Sequence, residues 1–170
     1  MSFFKKLLGK DKSDEAVKRP DINGLLIGDT DKLLSDLDDY LCRLSSYGAA
    51  LEKLTEPQKT FYFNQLLEKE VNNGGFNQYF YNSSGNFAHE TITSLRQINA
   101  NKTADILQLA IDQFPNAIVP KDRLERQQVL QSIEEKAGEV WERLDQLFYK
   151  YEDNLYELSI EFVKQNRSSL

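Results

Sequence analysis

The sequence predicts an all-α protein, a single-domain helical bundle of about six to eight helices. After Asp29, apolar residues recur at intervals of three and four, which is the period of an amphipathic helix. No segment shows the sustained alternation of apolar and polar residues that predicts a half-buried strand. Capping residues, glycines and prolines separate the periodic segments, so we expect helices joined by short connections.

Residues 1–28 are expected to form a basic, flexible tail and linker. The first 20 residues hold six basic and three acidic side chains, a net charge of +3. Among the lysines, four apolar residues lie at helical spacing: Phe3, Phe4, Leu7 and Leu8. Such a pattern is typical of a short segment that contacts a membrane surface or another protein. The expected organisation is therefore a tail over 1–28 and a helical domain over 29–170.

The first helix of the domain is expected to begin at Asp29 or Thr30, since either side chain can cap it, and to end near Gly48. Its apolar face holds Leu33, Leu34, Leu37, Tyr40, Leu41 and Leu44. A second helix is expected to begin at Thr55. Thr55 and Gln58 have the spacing of a capping box, and Pro57 suits the first turn.

Five further helical segments are expected. Phe87 to Ile98 and Thr103 to Phe114 have the helical period, and Pro115 and Pro120 then interrupt the chain. The last three segments are a helix capped by Asp122 that ends at Ile133, and two more over about 136–150 and 153–164.

The uncharged stretch 71–87, VNNGGFNQYFYNSSGNF, differs most from the rest of a chain that is 28% charged. Gly74 is expected at a helix C-terminus with positive φ, and Gly75 is expected to allow a close approach. Beyond them, Phe76, Tyr79 and Phe80 have the spacing of an aromatic stripe on a short helix that faces the core. The stretch therefore predicts a connection between helices.

A tight turn is expected over Asn82–Gly85, around Ser83, because Asn tolerates and Gly favours left-handed geometry. The same region offers a weaker interpretation as a binding or catalytic site. Asn77 and Gln78 are amides that a ligand can contact, and His89 would form a nucleophilic dyad with Cys42 only if folding brings them together. No metal-ligand spacing surrounds His89, so neither a metal nor another cofactor is expected.

The stretch EVNNGGFNQYFYNSSGN resembles the signature of the DNA-mimic protein family, small helical bacterial proteins otherwise catalogued as a domain of unknown function. The shared pattern is matched by Asn73, Gly74, Gly75, Phe76, Gln78, Tyr79, Phe80, Asn82, Ser83 and Gly85. The similarity covers roughly Leu33 to Tyr151. It implies an α-helical fold, no known catalysis and, for some members, an acidic surface that occupies the nucleic-acid site of a DNA-binding protein.

The distribution of acidic residues agrees with such a role. Residues 21–170 carry a net charge of −9, which disfavours direct nucleic-acid binding and suits a basic partner. On the segment 136–150 and the turn before it, Glu135, Glu139 and Glu142 point away from the apolar side, with Asp145 on the flank. Glu135 and Glu142 would lie about 10 Å apart along the axis. A second acidic face consists of Asp31, Asp38 and Asp39.

These observations predict a non-enzymatic interaction protein whose acidic helices bind a basic protein, such as a transcription factor or a nucleoid protein. An immunity protein against a nuclease toxin is a variant of this function, and a small-ligand or enzymatic module using 72–89 is the alternative. A homodimer stays open as an oligomeric state. One cysteine and no apolar run long enough for a membrane span indicate a cytoplasmic location.

Overall fold

The computed structural model describes residues 17–170, and this part of the chain forms seven α-helices and no strand. The helices are α1 (Ile22–Gly28), α2 (Thr30–Leu44), α3 (Glu56–Tyr81), α4 (Ala88–Gln97), α5 (Asn101–Ile111), α6 (Arg123–Phe148) and α7 (Leu155–Asn166). Short 3-10 helices lie in three connections: Leu51–Lys53, Ser83–Phe87 and Pro115–Ala117. The predicted all-α, single-domain architecture is confirmed. No helix in the described range has the length and apolar character needed to cross a membrane.

The capping residues behave as the sequence predicts. Asp29 caps α2 by accepting a hydrogen bond from the Lys32 backbone N–H at 2.9 Å. Thr55 and Gln58 form a reciprocal capping box at the start of α3, with backbone-to-side-chain distances of 3.0 and 3.3 Å. Each cap satisfies backbone donors that have no partner within the helix, and this is why short polar motifs locate these helix starts.

Two helix boundaries differ from the prediction. Residues 22–28, expected in the tail, form α1, in which Ile22 is buried. Residues 1–16, including the apolar and lysine-rich segment, lie outside the described residues. The break expected after Ile133 is absent, since α6 continues from Arg123 to Phe148. The charged residues 134–136 interrupt the apolar pattern, but they are good helix formers and face solvent, so the helix continues through them.

The core consists of two clusters that α3 connects. The first cluster joins the later part of α3 to α4, α5 and α6 and includes Phe76, Tyr79, Phe80, Leu95, Leu107, Phe114 and Trp141. The second joins α1, α2, the start of α3 and α7 and includes Ile22, Leu33, Leu37, Leu41, Phe61, Tyr62 and Val163. The uncharged stretch includes the last part of α3, and its residues Val71, Phe76, Tyr79 and Phe80 belong to the first cluster.

Candidate functional site

Helix α3 is broken at Gly74 and Gly75, in the middle of the uncharged stretch. Gly74 has a φ of −167°, which any residue can adopt, whereas Gly75 has φ 70° and ψ −173°, a region that is essentially restricted to glycine. The prediction of positive φ at Gly74 is therefore wrong by one residue. The predicted close approach at Gly75 is confirmed, because a Cβ there would collide with the Asp145 carboxylate.

Helix α6 satisfies the backbone groups that this break exposes. The Phe76 backbone N–H donates to Asp145 Oδ1 at 2.8 Å, so Asp145 caps the short helix that follows Gly75. The Tyr149 hydroxyl donates to the Val71 carbonyl at 2.9 Å on the other side of the break. Burial raises the pKa of Asp145, although the hydrogen bond from Phe76 opposes the rise. The break in α3 is therefore a point of contact at which side chains from α6 and from Tyr149 just after it bond to the α3 backbone.

We expect Gly75→Ala to lower the free energy of unfolding by about 1–3 kcal/mol, because alanine must adopt a glycine-only conformation and displace Asp145. Urea unfolding followed by circular dichroism measures the change. Gly138→Ala is the matched control: Gly138 lies within α6, and a Cβ there meets nothing within 4 Å. That substitution should stabilise by about 0.5–1 kcal/mol. Equal midpoints for the two variants would contradict the assignment.

The aromatic stripe is buried as predicted. Phe76, Tyr79 and Phe80 are each 0% exposed. Phe80 packs against Phe114 and Trp141, with ring centroids 4.9 and 5.2 Å away. The Tyr79 hydroxyl donates to Thr91 Oγ1 at 3.0 Å, and burial raises the pKa of this phenol. These side chains are part of the first core cluster and offer no surface to a ligand.

Arg126 holds the end of the uncharged stretch in place, a role that the sequence analysis does not predict. Its guanidinium is fully buried and donates to the backbone carbonyls of Phe80 and Asn82 at 2.6 and 2.8 Å. The remaining hydrogen bonds go to Asn86 Oδ1 and to the carbonyls of Pro120 and Lys121. Burial lowers the pKa of Arg126. An arginine in helical register with Leu130 and Ala137 is the signal that could have revealed it.

The tight turn after Phe80 is present, but its geometry differs from the prediction. Gly85 N–H donates to the Asn82 carbonyl at 3.2 Å, and neither residue has a positive φ. Gly85 is required for space instead, because a Cβ would lie 2.7 Å from Arg126 Nε.

The polar residues of the stretch differ in their surroundings. Glu70 accepts hydrogen bonds from the side-chain amides of Gln78 and Asn82 at 2.7 and 2.9 Å. Asn73 and Ser83 are exposed.

The sequence matches the model of one protein family. A family model described as "DMP19-like protein" matches residues 52–166, about two thirds of the chain. The chain belongs to the DMP19-like family. The matched range contains the Gly75 break, the aromatic stripe and Arg126, so the resemblance to the DNA-mimic family is confirmed. Searches of curated proteins and of solved structures found no match.

The DMP19-like chain presents three glutamates on the exposed side of α6. Glu135, Glu139 and Glu142 are exposed, and none forms an ion pair with another residue in the range 17–170. We call these three residues the α6 acidic surface. Beside it, Glu135 and Glu139 border a cleft of about 660 Å³ together with Asp112 at the end of α5. Lys136 also borders this cleft, but the carboxylates that form no ion pair outnumber it and produce a negative potential at this surface.

Three of the other four predicted acidic residues have partners within the protein. Asp145 is half-buried and caps the helix after Gly75, so it is not available on the flank of the α6 acidic surface. Asp38 pairs with Lys69 at 2.6 Å and has a side chain that is only 16% exposed, and Asp39 pairs with Arg43 at 3.1 Å. Asp31 is exposed in the first turn of α2. The α2 face is therefore largely neutralised by local contacts.

The residues predicted for a small-ligand or catalytic site do not form one site. Each of His89, Cys42 and Asn77 has different neighbours. His89 Nε2 accepts a hydrogen bond from the Val119 backbone N–H at 3.3 Å, while Cys42 contacts Asp38. Burial raises the pKa of the Cys42 thiol to about 11. Asn77 borders a cleft of about 470 Å³ that neither Gln78 nor His89 lines. Among the described residues, no three potential metal ligands converge.

Proposed function

We propose that this DMP19-like protein is a non-enzymatic interaction protein whose α6 acidic surface binds a basic DNA-binding protein at the site that DNA would occupy. The observation that carries the proposal is the set of three exposed glutamates without local ion pairs. The resemblance to the DNA-mimic family supplies the class of partner. A transcription factor or a nucleoid protein has the required basic, phosphate-binding surface.

The spacing of the three glutamates supports this reading. Successive carboxylates along α6 are separated by about 4–6 Å in axial rise, which is close enough for a groove of phosphate-binding lysines and arginines to contact all three. Because each residue advances about 100° around the helix, Lys136 and Arg143 lie together on one side of the row and bound the narrow stripe of carboxylates there. A narrow stripe suits one row of phosphate contacts.

Affinity capture from the cytoplasmic fraction of bacterial cells, where we propose that the protein acts, tests the class of partner. The capture should be performed at low and at high salt. A charge-driven partner should be retained at low salt and lost at high salt, because ions screen exposed charges. Recovery of a nuclease toxin would identify the immunity variant of the function. DNA that competes with the captured protein for binding would support mimicry, and simultaneous binding of both would contradict it.

Reversal of the α6 acidic surface is expected to weaken binding strongly. In the variant Glu135→Lys, Glu139→Lys, Glu142→Lys, affinity for the captured partner should fall, and the remaining binding should depend less on salt. The fold should survive, since the three side chains face solvent. Titration at several salt concentrations measures both effects, and circular dichroism checks the fold.

The matched control is the reversal of Asp31, Asp38 and Asp39 on α2, which makes the same change in net charge on the other predicted face. This variant should keep its affinity for the partner. Its thermal unfolding must be measured as well, because lysine at position 38 would oppose Lys69. Binding that is lost with the α2 reversal and kept with the α6 reversal would transfer the proposed site to α2.

A further inference from the structure

A second surface, built from residues that precede α6 in the chain, combines apolar and acidic residues. A groove of about 640 Å³ lies between the start of α3 and α4. Leu51, Phe63 and Phe87 form its apolar part, and the rings of the two phenylalanines stack at 5.0 Å. Three glutamates border it: Glu52, Glu56 and Glu90. We call it the α3–α4 groove.

The groove keeps a negative charge after its own ion pairs are formed. Glu56 pairs with Lys59 at 2.7 Å, and Glu90 pairs with Lys121 through Oε1. Glu52 is exposed and forms no ion pair with another described residue. Glu90 Oε2 is buried and accepts no hydrogen bond from the described part of the chain, so the charge that a docking segment can reach comes mainly from Glu52. A cationic segment with apolar side chains therefore fits the groove.

The N-terminal segment of the same chain has this composition, and contacts bring its attachment point near the groove. Arg19 donates to the Arg167 carbonyl at 2.7 Å, and two residues later the Ser169 carbonyl accepts from Thr55 at 2.9 Å. Thr55 immediately precedes Glu56 of the groove. The eight residues between Leu8 and Val17 can span up to about 30 Å when extended, so they can carry the apolar residues at the start of the chain away from Val17 toward the groove.

We propose that residues 3–8 of the chain, FFKKLL, dock into the α3–α4 groove. Phe3, Phe4, Leu7 and Leu8 would cover the exposed parts of Leu51 and Phe87, and Lys5 and Lys6 would approach Glu52 and Glu90. The groove shares no residue with the α6 acidic surface. Docking there holds the lysines of the segment on a surface of their own and leaves the α6 glutamates without a competing cation from this chain. This inference does not rest on the proposed function.

Paramagnetic relaxation in the full-length protein tests the docking. A nitroxide label is attached at Ser2→Cys; the native Cys42 is buried with a raised pKa and should not react, which mass spectrometry of the labelled parent chain checks. We expect loss of amide signal intensity at residues 51–56 and 86–93, relative to the reduced label. A mixture of isotope-labelled, spin-free chains with unlabelled, spin-labelled chains shows whether the contact lies within one chain.

Two variants of the segment separate docking from non-specific attraction. Phe3→Ser with Phe4→Ser keeps the charge and should abolish the intensity loss at the groove, and Lys5→Glu with Lys6→Glu should do the same. Intensity loss centred on Glu135–Glu142 would overturn the proposal in favour of contact with the α6 acidic surface. Intensity loss at the groove that the serine variant leaves unchanged would overturn it in favour of non-specific attraction between charges. Loss that appears equally in the mixed sample would overturn it in favour of docking between two copies.

Discussion

Replacement of Arg126 by alanine is expected to lower the free energy of unfolding by about 3–5 kcal/mol, because it removes a fully buried side chain and leaves five buried or part-buried acceptors without their donor. The guanidinium connects Phe80, Asn82 and Asn86 of the uncharged stretch to the carbonyls of Pro120 and Lys121 before α6. Without it, the buried Phe80 carbonyl and four part-buried acceptors lose their hydrogen bonds together. Arg126→Lys should recover only part of the loss, since an ammonium cannot match the planar fork of five donors.

Arg123→Ala is the control for this experiment. Arg123 lies three residues earlier on α6 and also contacts the stretch, through the Tyr81 carbonyl at 3.2 Å and the Tyr81 ring, but it is exposed to solvent. Its removal should cost about 1 kcal/mol or less. Urea unfolding of the three variants and the parent protein gives the comparison. Equal losses for Arg123→Ala and Arg126→Ala would show that burial of the guanidinium does not matter.

Phe80→Ala is expected to cost about 3–5 kcal/mol by removing a large side chain from the first core cluster. Phe80 is 0% exposed and its ring meets those of Phe114 and Trp141. The cavity cannot close easily, because Asp145 and Arg126 hold α6 to α3 through the backbone groups of Phe76 and Phe80. The cavity therefore adds its own cost to the transfer free energy that is lost when the buried apolar atoms of the ring are removed.

The neighbouring Tyr81→Ala is the matched control, since Tyr81 is 51% exposed and contributes little to the core. Its unfolding midpoint should lie close to that of the parent protein. Unfolding should be followed by circular dichroism, because the emission of Trp141 itself responds to a cavity beside its ring. A midpoint for Phe80→Ala equal to that of the parent would remove Phe80 from the core and with it the structural role of the stripe.

Much of the fold could be predicted because its signals are local. Asp29, Thr55 and Asp122 cap helices with side chains that reach backbone groups three residues away, so their positions follow from the sequence alone. The aromatic stripe is similar, since helical spacing places three side chains on one face wherever that face is later buried. The missing break in α6 and the unexpected α1 have another cause. The α1 helix depends on packing that buries Ile22, whereas α6 continues because the solvent-exposed residues 134–136 are good helix formers despite their interrupted apolar pattern.

The candidate site was predicted only in part, because exposure and pairing are properties of the assembled helices. The sequence places Glu135, Glu139 and Glu142 on the polar side of a helix, where the structure has them exposed. It also placed Asp145 and Asp38 on acidic faces, but Asp145 caps a helix from across the core and Asp38 pairs with Lys69 of α3. No spacing along the chain indicates partners 69 and 31 residues away.

By itself, the sequence determined the all-α class, the helix caps, the aromatic stripe and the family to which the chain belongs, since each depends on residues close together in the chain. Only the tertiary structure decided that Gly75 has the positive φ, that the buried Arg126 guanidinium bonds to the carbonyls of Phe80 and Asn82, and that the α6 glutamates form no ion pair within the described residues. The physical reason is the same in each case. Strain at Gly75, burial of a guanidinium and neutralisation of a carboxylate are decided by atoms that other helices bring within hydrogen-bonding distance.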